Sequence, residues 1–342
     1  MINTVSLLIS AYNEQDVIED KLINSLEIDY PKDRLEIVVV SDGSDDETNQ
    51  IVRRYANNGV ILRHYEGRIG KTACLNKAVP LSKGDIIVFS DADAQYDKHA
   101  IRQLVKRFGD EKVGFVTGRT EYISKEDDTA LHSVKIYSVI EKLTKKLEGK
   151  VSSCVGADGA IFAIRKEFYM PLQDYDINDL VIPLKIIQQG FRGVFDEEAF
   201  CVEKSGGSTE GEFKRHVRIA NRSLRAIYNH SDLLNPFKHG FFSFQIISHK
   251  LAKFMVPFFL FLMIFLNIAV VYRQGGKIYA VTLFLLSLFY ILCWLGYRQI
   301  QLPFLSRVTS FAYTFFTINL AIFIGWINYF QGKTYVTWST DR

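Results

Sequence analysis

Residues 84–97 read GDIIVFSDADAQYD, an apolar run that ends directly in two aspartates. The four apolar residues from Ile86 to Phe89 show no polar alternation, which is typical of a strand covered on both faces of a sheet. Asp91 and Asp93 follow one residue apart. Because side chains at positions i and i+2 of an extended segment point the same way, we expect the two carboxylates to face one ligand.

Two neighbouring carboxylates are typical ligands of a hard divalent cation, Mg²⁺ or Mn²⁺. They supply only part of an octahedral shell, so water and the phosphate oxygens of a ligand would complete it. A cation held in this way neutralises charge as a diphosphate leaves. The phosphate-binding pattern GxxxxGK[ST] does not occur in the sequence. We therefore expect a metal-assisted diphosphate site at Asp91 and Asp93.

The first 235 residues alternate between strands and helices, and the predicted strands cover residues 5–10, 35–41, 60–63, 85–90 and 112–118. Their apolar runs predict an α/β fold, a mainly parallel sheet between helices. Polar residues follow three of these strands: Asn13 and Glu14, residues 42–44, and residues 91–93. Ligands of such open sheets bind beyond the carboxyl ends of the strands. The three polar clusters are therefore expected on one rim.

The composition changes after about residue 235. Three segments contain no Asp, Glu, Lys or Arg, namely 254–272, 278–297 and 308–330. About 20 residues cross a bilayer as a helix, so we expect three transmembrane helices in a membrane domain over residues 254–342. An amphipathic segment over 236–253 would lie along the membrane interface. Three spans place the tail, residues 331–342, across the membrane from the soluble domain, residues 1–235.

The overall composition and charge argue against some other classes of protein. Lysine plus arginine is 41 against 38 acidic residues, a net charge of +3, so no nucleic-acid partner is expected. The N-terminus has only a short apolar run and predicts a first strand rather than a signal peptide. The four cysteines form no CxxC pair, which favours reduced thiols or core residues over disulfides or zinc ligands.

A basic loop, EGRIGKTACLNKA, places Arg68 and Lys71 around two glycines before a predicted helix over 72–79, where cations suit a diphosphate. This loop and the stretches SLLISAYNE, VVVSDGSDDET, VFSDADAQYDKHAIRQLV and VGFVTGR follow one another in an order that resembles inverting family-two glycosyltransferases with the GT-A fold. GADGAIFAIRKEFY, NDLVIPLKIIQQGFRGVFDEEA and EFKRHVRIANRSLRAI continue the resemblance into the first membrane segment. The chain is most similar to membrane-bound bacterial members that build surface polysaccharides, in the neighbourhood of hyaluronan and poly-N-acetylglucosamine synthases.

The resemblance implies a Rossmann-like GT-A domain over residues 1–235 that binds a UDP-sugar with Mg²⁺ or Mn²⁺. Asp93 would ligate the metal, with Asp91 on the ribose, diphosphate or metal side. Further donor-binding residues implied are Ala11, Tyr12, Glu14, Asp42, Arg68, Lys71, Arg218 and Arg222. For the arginines, the spacing of three to four residues also predicts one helical face, and a solvated basic face is the alternative.

The resemblance gives Asp179 the role of general base, although Asn178 stands where the family usually has glutamate. Capping of the following helix is the alternative for Asp179, and Asp174 and Asp176 lie nearby. On the acceptor side the resemblance implies Gly156 and Asp158, for which a tight turn is an equal explanation.

The leading hypothesis is a metal-dependent inverting glycosyltransferase that moves sugar from a UDP-sugar to a glycan or glycolipid acceptor in surface polysaccharide synthesis. The runner-up is a polyprenyl-phosphate glycosyltransferase, whose relatives share a DADxQ stretch with residues 91–95, and the third is a non-catalytic sugar-nucleotide sensor. The Q-x-x-R-W motif of processive relatives is absent, which leaves polymerisation open. Nucleotide-sugars are cytosolic, so the catalytic domain is expected on the cytosolic side of the cell membrane. Expected partners are the donor, the acceptor and the lipid bilayer, with an oligomer or polysaccharide-synthesis proteins left open.

Overall fold

A computed structural model describes residues 3–123, 129–204, 209–298, 300 and 305–337. The described part of the first 235 residues contains one sheet of eight strands: β1 Val5–Ala11, β2 Leu35–Asp42, β3 Val60–Tyr65, β4 Ile86–Asp91, β5 Gln95–Tyr96, β6 Val113–Ile123, β7 Ile161–Arg165 and β8 Arg192–Lys204. Their order across the sheet is β3-β2-β1-β4-β7-β6-β8-β5. The predicted strand ends were accurate to about one residue for β1, β2 and β4, whereas β3 and β6 run further.

The sheet is mixed but mainly parallel in its first half. β1 pairs in parallel with β2 and β4, and β2 pairs in parallel with β3. β7 lies antiparallel between β4 and β6, while β8 is parallel to β6 and antiparallel to β5. The GT-A-like α/β fold predicted from the sequence is therefore confirmed.

Alternate residues of the central strands enter two separate hydrophobic cores. Leu7 and Val88 pack into the core on one face of the sheet. Leu8, Ile87 and Phe89 pack into the core on the other face. Because both faces are covered, every position of these strands favours an apolar residue, and the strands read as continuous apolar runs.

The α-helices are α1 Ile18–Leu26, α2 Thr48–Arg54, α3 Lys71–Leu81, α4 Ala100–Lys106, α5 Thr129–Val151, α6 Asn178–Gln188, α7 Thr209–Asn229, α8 Pro236–His239, α9 Phe241–Ile246, α10 Ala252–Gln274, α11 Lys277–Tyr297 and α12 Ser306–Phe330. The helix α5 was not predicted. Its C-terminal half exposes an apolar stripe at a spacing of three to four residues, formed by Val139, Ile140, Leu143, Leu147 and Val151.

The predicted interfacial segment, residues 236–253, folds as α8, α9 and a π-helical turn, Ile247–Leu251, that runs into α10. Phe242 and Ile246 are buried in a domain core, whereas Phe241 and Phe244 are exposed on the other side. The segment is thus apolar on two sides. Its position at a membrane interface stays a prediction.

The helices α10, α11 and α12 are each long and apolar enough to cross a membrane. Close packing joins α12 to α7, since a Cβ atom at Gly325 would lie 2.7 Å from that of Ala220. The chain then returns to the α/β domain. The carbonyl of Lys333 accepts a hydrogen bond from Arg225 at 2.9 Å, and Val336 lies against Gly70. These contacts lie against the α/β domain, whereas three spans would place the tail across the membrane from it.

Candidate active site

Three strand ends bring the polar clusters to one rim of the sheet. In the register of the parallel pairs, Ser10 lies opposite Asp91 and Ala11 lies opposite Ser41. The carboxyl ends of β1, β2 and β4 therefore finish at the same level. The expectation that these clusters converge is confirmed by this register.

The turn after β1 is tied to the turn after β2. Asn13, in a left-handed conformation with φ of 52°, donates from its side chain to Asp45 at 2.6 Å. The Glu14 amide donates to Thr48 at 2.8 Å, and the Glu14 side chain is buried. These bonds fix the loop that carries Tyr12 to the mouth of the site.

Asp42 holds the basic loop in place. Its buried carboxylate accepts hydrogen bonds from the amides of Ile69, at 2.8 Å, and Gly70, at 3.0 Å. Arg68 lies 3.7 Å from the same carboxylate and covers the ring of Tyr12, with its guanidinium carbon 3.2 Å from the ring centroid. The role of Asp42 at a uracil or ribose edge stays a prediction, and in this structure its oxygens anchor the loop.

Lys71 begins α3 and forms an ion pair with Asp91. This pair joins the basic loop to the end of β4. Lys71 is mostly buried, while the Asp91 side chain is 38% exposed and open to a ligand. The two groups that sequence reasoning assigned to a diphosphate site are therefore in direct contact.

A third acidic group near the aspartate pair was missed by sequence reasoning. Burial, together with the charges of Asp93, Asp91 and Asp158, raises the pKa of Glu203 to about 9. Glu203 lies near the end of β8, where FCVEKS gives no motif that would have indicated it. Acidic groups are therefore crowded on this side of the rim.

The carboxylates of Asp91 and Asp93 fit a divalent cation that a bound ligand would also help to hold. Within the described ranges, no group of three histidine, cysteine, aspartate or glutamate residues is arranged to hold a metal ion. Asp91 and Asp93 are both partly exposed, so the remaining ligands would be water and diphosphate oxygens. A cation would also offset the repulsion that raises the pKa of Glu203. Asp91 and Asp93 remain the residues that would hold it.

Asp179 lies in the first turn of α6 with a buried carboxyl group. Its Oδ1 atom is buried and has no hydrogen-bond partner among the described residues. Burial raises the pKa of Asp179, and the charges of Lys250, Lys71 and Arg222 oppose the rise while Asp91 adds to it. The group is therefore close enough to the donor residues to interact with them, and it has proton-accepting capacity to spare.

Small residues make the space for this carboxylate. A Cβ atom at Gly159 would lie 3.1 Å from Oδ2 of Asp179, tighter than an ordinary contact. At Gly156 the same atom would lie 3.5 Å from the Asp179 carbonyl oxygen, which is ordinary contact. Asp158 accepts hydrogen bonds from both the amide and the hydroxyl of Thr120 at 3.0 Å. Acceptor binding by Gly156 and Asp158 stays a prediction, and Asp158 has a structural role here.

The helix α3 couples the basic loop to the segment before Asp179. Thr72 donates to the carbonyl of Asp176 at 2.8 Å, and Asn76 donates to the carbonyl of Leu172 at 2.8 Å. Displacement of Lys71 at the start of this helix would therefore be transmitted to Asp179.

Arg222 braces the same segment from α7. Its guanidinium donates to the carbonyls of Tyr175, at 2.9 Å, and Asp176. Burial lowers the pKa of Arg222 to about 10. Arg218 is half-buried one turn earlier. Contact of these arginines with a donor stays a prediction, because Arg222 is engaged with backbone carbonyls in this structure.

Lys250 was predicted to lie only in the interfacial segment, but the structure brings it to the site. It belongs to the π-helical turn before α10, and its Nζ atom lies 3.8 Å from the Cβ position of Gly156. It is also the largest opposing charge on Asp179. A basic residue just before an apolar segment was the available signal, but nothing local indicated proximity to Asp179.

Residues 6–170 match the family described as Glycosyl transferase family 2. "Probable glycosyltransferase YdaM" of Bacillus subtilis (strain 168) is 29% identical over 227 residues, 63% of this chain and 54% of that protein. "Poly-beta-1,6-N-acetyl-D-glucosamine synthase" of Staphylococcus aureus (strain MSSA476) is 27% identical over 225 residues, 63% of this chain and 53% of that protein. The chain spans about half the length of the curated relatives it matches.

Among solved structures, the mannosyltransferase PcManGT from Pyrobaculum calidifontis, in complex with GDP-Man and Mn²⁺, is similar in fold. It has a TM-score of 0.71 and 23% identity, covering 97% of this chain and 88% of that chain. The chain therefore matches the family 2 glycosyltransferases over residues 6–170, just under half of its length, and shares its fold with a solved mannosyltransferase. The sensor alternative stays a hypothesis.

We predict that Gly159→Ala impairs transfer far more than Gly156→Ala. The added methyl group at position 159 displaces the Asp179 carboxylate, whereas position 156 has room for it. Nucleotide release with donor and acceptor should fall at least about 10-fold in the first variant, because small displacements of reacting groups have large effects on rate, and should stay within about two-fold in the second. Equal loss in both variants, at matched thermal stability, would contradict the steric argument.

Proposed function

We propose that this protein is a metal-dependent, inverting glycosyltransferase that moves sugar from a UDP-sugar to a hydroxyl of a glycan or glycolipid at the membrane. One observation carries the proposal: the buried carboxyl of Asp179 interacts with Asp91 and Lys71, the pair at the diphosphate side of the rim. A base and a diphosphate site would then lie close enough to act on one bound donor. The similarity to a poly-N-acetylglucosamine synthase over 63% of this chain supports a polysaccharide setting.

The donor would lie across the ends of β1, β2 and β4. The stacked pair of Arg68 and Tyr12 forms a flat cationic surface beside the loop that Asp42 anchors, which suits a nucleotide. Lys71 provides positive charge for the diphosphate. A cation at Asp91 and Asp93, when bound, adds charge stabilisation for the leaving diphosphate.

Asp179 would remove the proton from the incoming hydroxyl. Burial raises the pKa of its carboxyl, so the carboxylate is a stronger base than an exposed aspartate, and the charge of Lys250 favours the ionised form. The proton moves to a carboxylate oxygen as the hydroxyl oxygen bonds to the anomeric carbon and the diphosphate departs from the opposite side. Displacement along this line inverts the anomeric centre.

Lys250 favours one alternative acceptor. An ammonium group beside Asp179, in the turn that leads into an apolar helix, would also suit the phosphate of a lipid carrier. In that second candidate function the protein is a polyprenyl-phosphate glycosyltransferase. A phosphate acceptor is already ionised and needs little base catalysis, so the requirement for Asp179 separates the two candidates.

The proposed location is the cell membrane, with several spans and the catalytic domain in the cytosol, where nucleotide-sugars are found. Helices apolar enough to cross a membrane support the membrane part of this proposal. Association with a second copy or with polysaccharide-synthesis proteins belongs to the same proposal.

We predict that Asp93→Ala lowers donor turnover by about 100-fold or more, in the range that loss of electrostatic stabilisation costs. Purified protein would be assayed for nucleotide release with a panel of UDP-sugars and GDP-mannose, with Mn²⁺, Mg²⁺ or EDTA. Asp97→Asn is the matched control, because Asp97 accepts a local hydrogen bond from His99 that asparagine can retain. Full turnover in EDTA, or in the Asp93 variant, would rule out the metal-dependent mechanism.

We predict that Asp179→Asn reduces transfer to a hydroxyl acceptor by about 100-fold to 10,000-fold, the range of general base catalysis. Donor affinity, measured by calorimetry, should stay near the unmodified value. Loss of donor binding would assign Asp179 a structural role. Retained turnover with a polyprenyl phosphate would instead support the second candidate.

We predict that Lys250→Met moves the acidic limb of the kcat/KM profile to higher pH. Lys250 favours the ionised form of Asp179, so its removal raises the pKa of that carboxyl and leaves it protonated up to a higher pH. Lys71, Arg222 and Asp91 also act on this carboxyl and remain in the variant. Lys250→Arg should restore the profile, and Lys253→Met, one turn further along, is the matched control. If the acidic limb does not move, Lys250 has no effect on the ionisation of Asp179, and this part of the proposal is wrong.

A further inference from the structure

The three apolar helices begin and end at the same domain. Before α10, Phe242 is buried in a core of the catalytic domain. After α12, Lys333 accepts hydrogen bonds from Asn221 and Arg225 of α7, and Val336 lies against Gly70 of the donor loop. A chain that leaves one side of a bilayer and returns to it crosses an even number of times. Three crossings are therefore incompatible with these contacts.

The helices α10 and α11 form a hairpin. They are joined by a turn at Gly275 and Gly276, and Asn267 of α10 donates a hydrogen bond to Thr282 of α11 at 2.8 Å near that turn. Each helix is longer than the roughly 20 residues that cross a bilayer. The two helices are also mostly exposed, as lipid-facing helices of a monomer are.

Both halves of α12 contact the open end of this hairpin. Phe258 precedes the end of α10 by 16 residues and packs against Phe323, with ring centroids 5.7 Å apart. Cys293 follows the start of α11 by 16 residues and lies 3.3 Å from the Ala312 carbonyl. At 1.5 Å per residue, both contacts lie about 24 Å from the turn.

The equal distances of these two contacts from the turn determine how α12 is oriented. Phe323 and Ala312 are separated by about 16 Å along α12, yet they meet the hairpin at one level. A third span beside the hairpin would bring one end of α12 to the turn. Instead α12 runs across the open end, which faces the catalytic domain because Trp326 donates to the carbonyl of Phe254 at the start of α10.

The surface of α12 agrees with this orientation. In the most apolar 18-residue stretch of α12, 28% of the residues are buried inside the protein. The corresponding share is 11% for the stretch that includes α10 and 6% for α11. One side, with Ile322 and Gly325, packs on α7. The opposite side exposes Phe316, Leu320 and Ile327. A helix that is covered by protein on one side and apolar on the other suits the boundary between a domain and a bilayer.

We infer that the chain crosses the bilayer twice, by α10 and α11, and that α12 lies along the membrane surface between the lipids and the catalytic domain. The apolar stripe of α5 extends the same surface, since α5 packs beside α12. The lipid leaflet is thus the partner of both helices. The tail after α12 stays on the catalytic side and packs on the loop that holds Arg68 and Lys71.

Single introduced cysteines test this arrangement with a membrane-impermeant maleimide on intact and permeabilised cells. Lys277→Cys reports the hairpin turn, Ile300→Cys the connection to α12, and Thr334→Cys the tail; all three residues are exposed. Glu111→Cys, on the exposed surface of the catalytic domain, defines the catalytic side. The four native cysteines are buried, so the unmodified chain serves as the blank.

We expect Thr334→Cys and Ile300→Cys to label only under the conditions that label Glu111→Cys, and Lys277→Cys to label from the other side. If Thr334→Cys is labelled from the same side as Lys277→Cys, the chain crosses three times and the inference is overturned. If Ile300→Cys is labelled from the side of the membrane opposite to Glu111→Cys, α11 and α12 would be the crossing pair. This result would also overturn the inference. Labelling of all four positions on one side would exclude any crossing. A matched thermal transition for each purified variant confirms that the reporter leaves the fold intact.

Discussion

The carboxylate of Asp42 joins the end of a buried strand to the loop that carries the cations of the site. It accepts hydrogen bonds from the amides of Ile69 and Gly70, and α3 begins directly after them. Lys71, the first residue of that helix, then reaches Asp91 at the end of β4. Burial of an ionised carboxylate is costly unless donors satisfy it, so these bonds hold the loop in one position. The positions of Arg68 and Lys71 depend on this anchor.

The same helix extends the constraint to the segment before Asp179. Thr72 and Asn76 of α3 hold the segment before α6, and Arg222 of α7 holds it from the opposite direction. Asp179 follows this braced segment and faces the space that Gly159 leaves open. Donor loop and proposed base are therefore parts of one rigid unit, and the membrane-side helices are attached to it through Lys250 and α7. Chemistry at the bilayer surface requires such a connection.

Much of the fold followed from local pattern. Unbroken apolar runs identified β1, β2 and β4, and parallel strands necessarily finish at one edge, so Asp91 and Asp93 were placed on the rim with Asn13 and Asp42. The helix α5 was missed because its apolar stripe begins beyond a mixed, charged stretch. Lys250 was missed because it lies far along the chain from Asp179. The spacing of residues in a sequence indicates neighbours within one element, not contacts between distant segments.

The sequence by itself determined the buried strands, the acidic rim and the apolar helices, because each depends on residues within one element and on the solvent it faces. Only the tertiary structure decided that Asp42 anchors a loop, that Lys250 stands beside Asp179, and that α12 runs across the open end of the hairpin. Length and composition are alike for a helix within a bilayer and a helix pressed between protein and lipid. The difference lies in long-range contacts, such as Gly325 against Ala220, which packing alone creates.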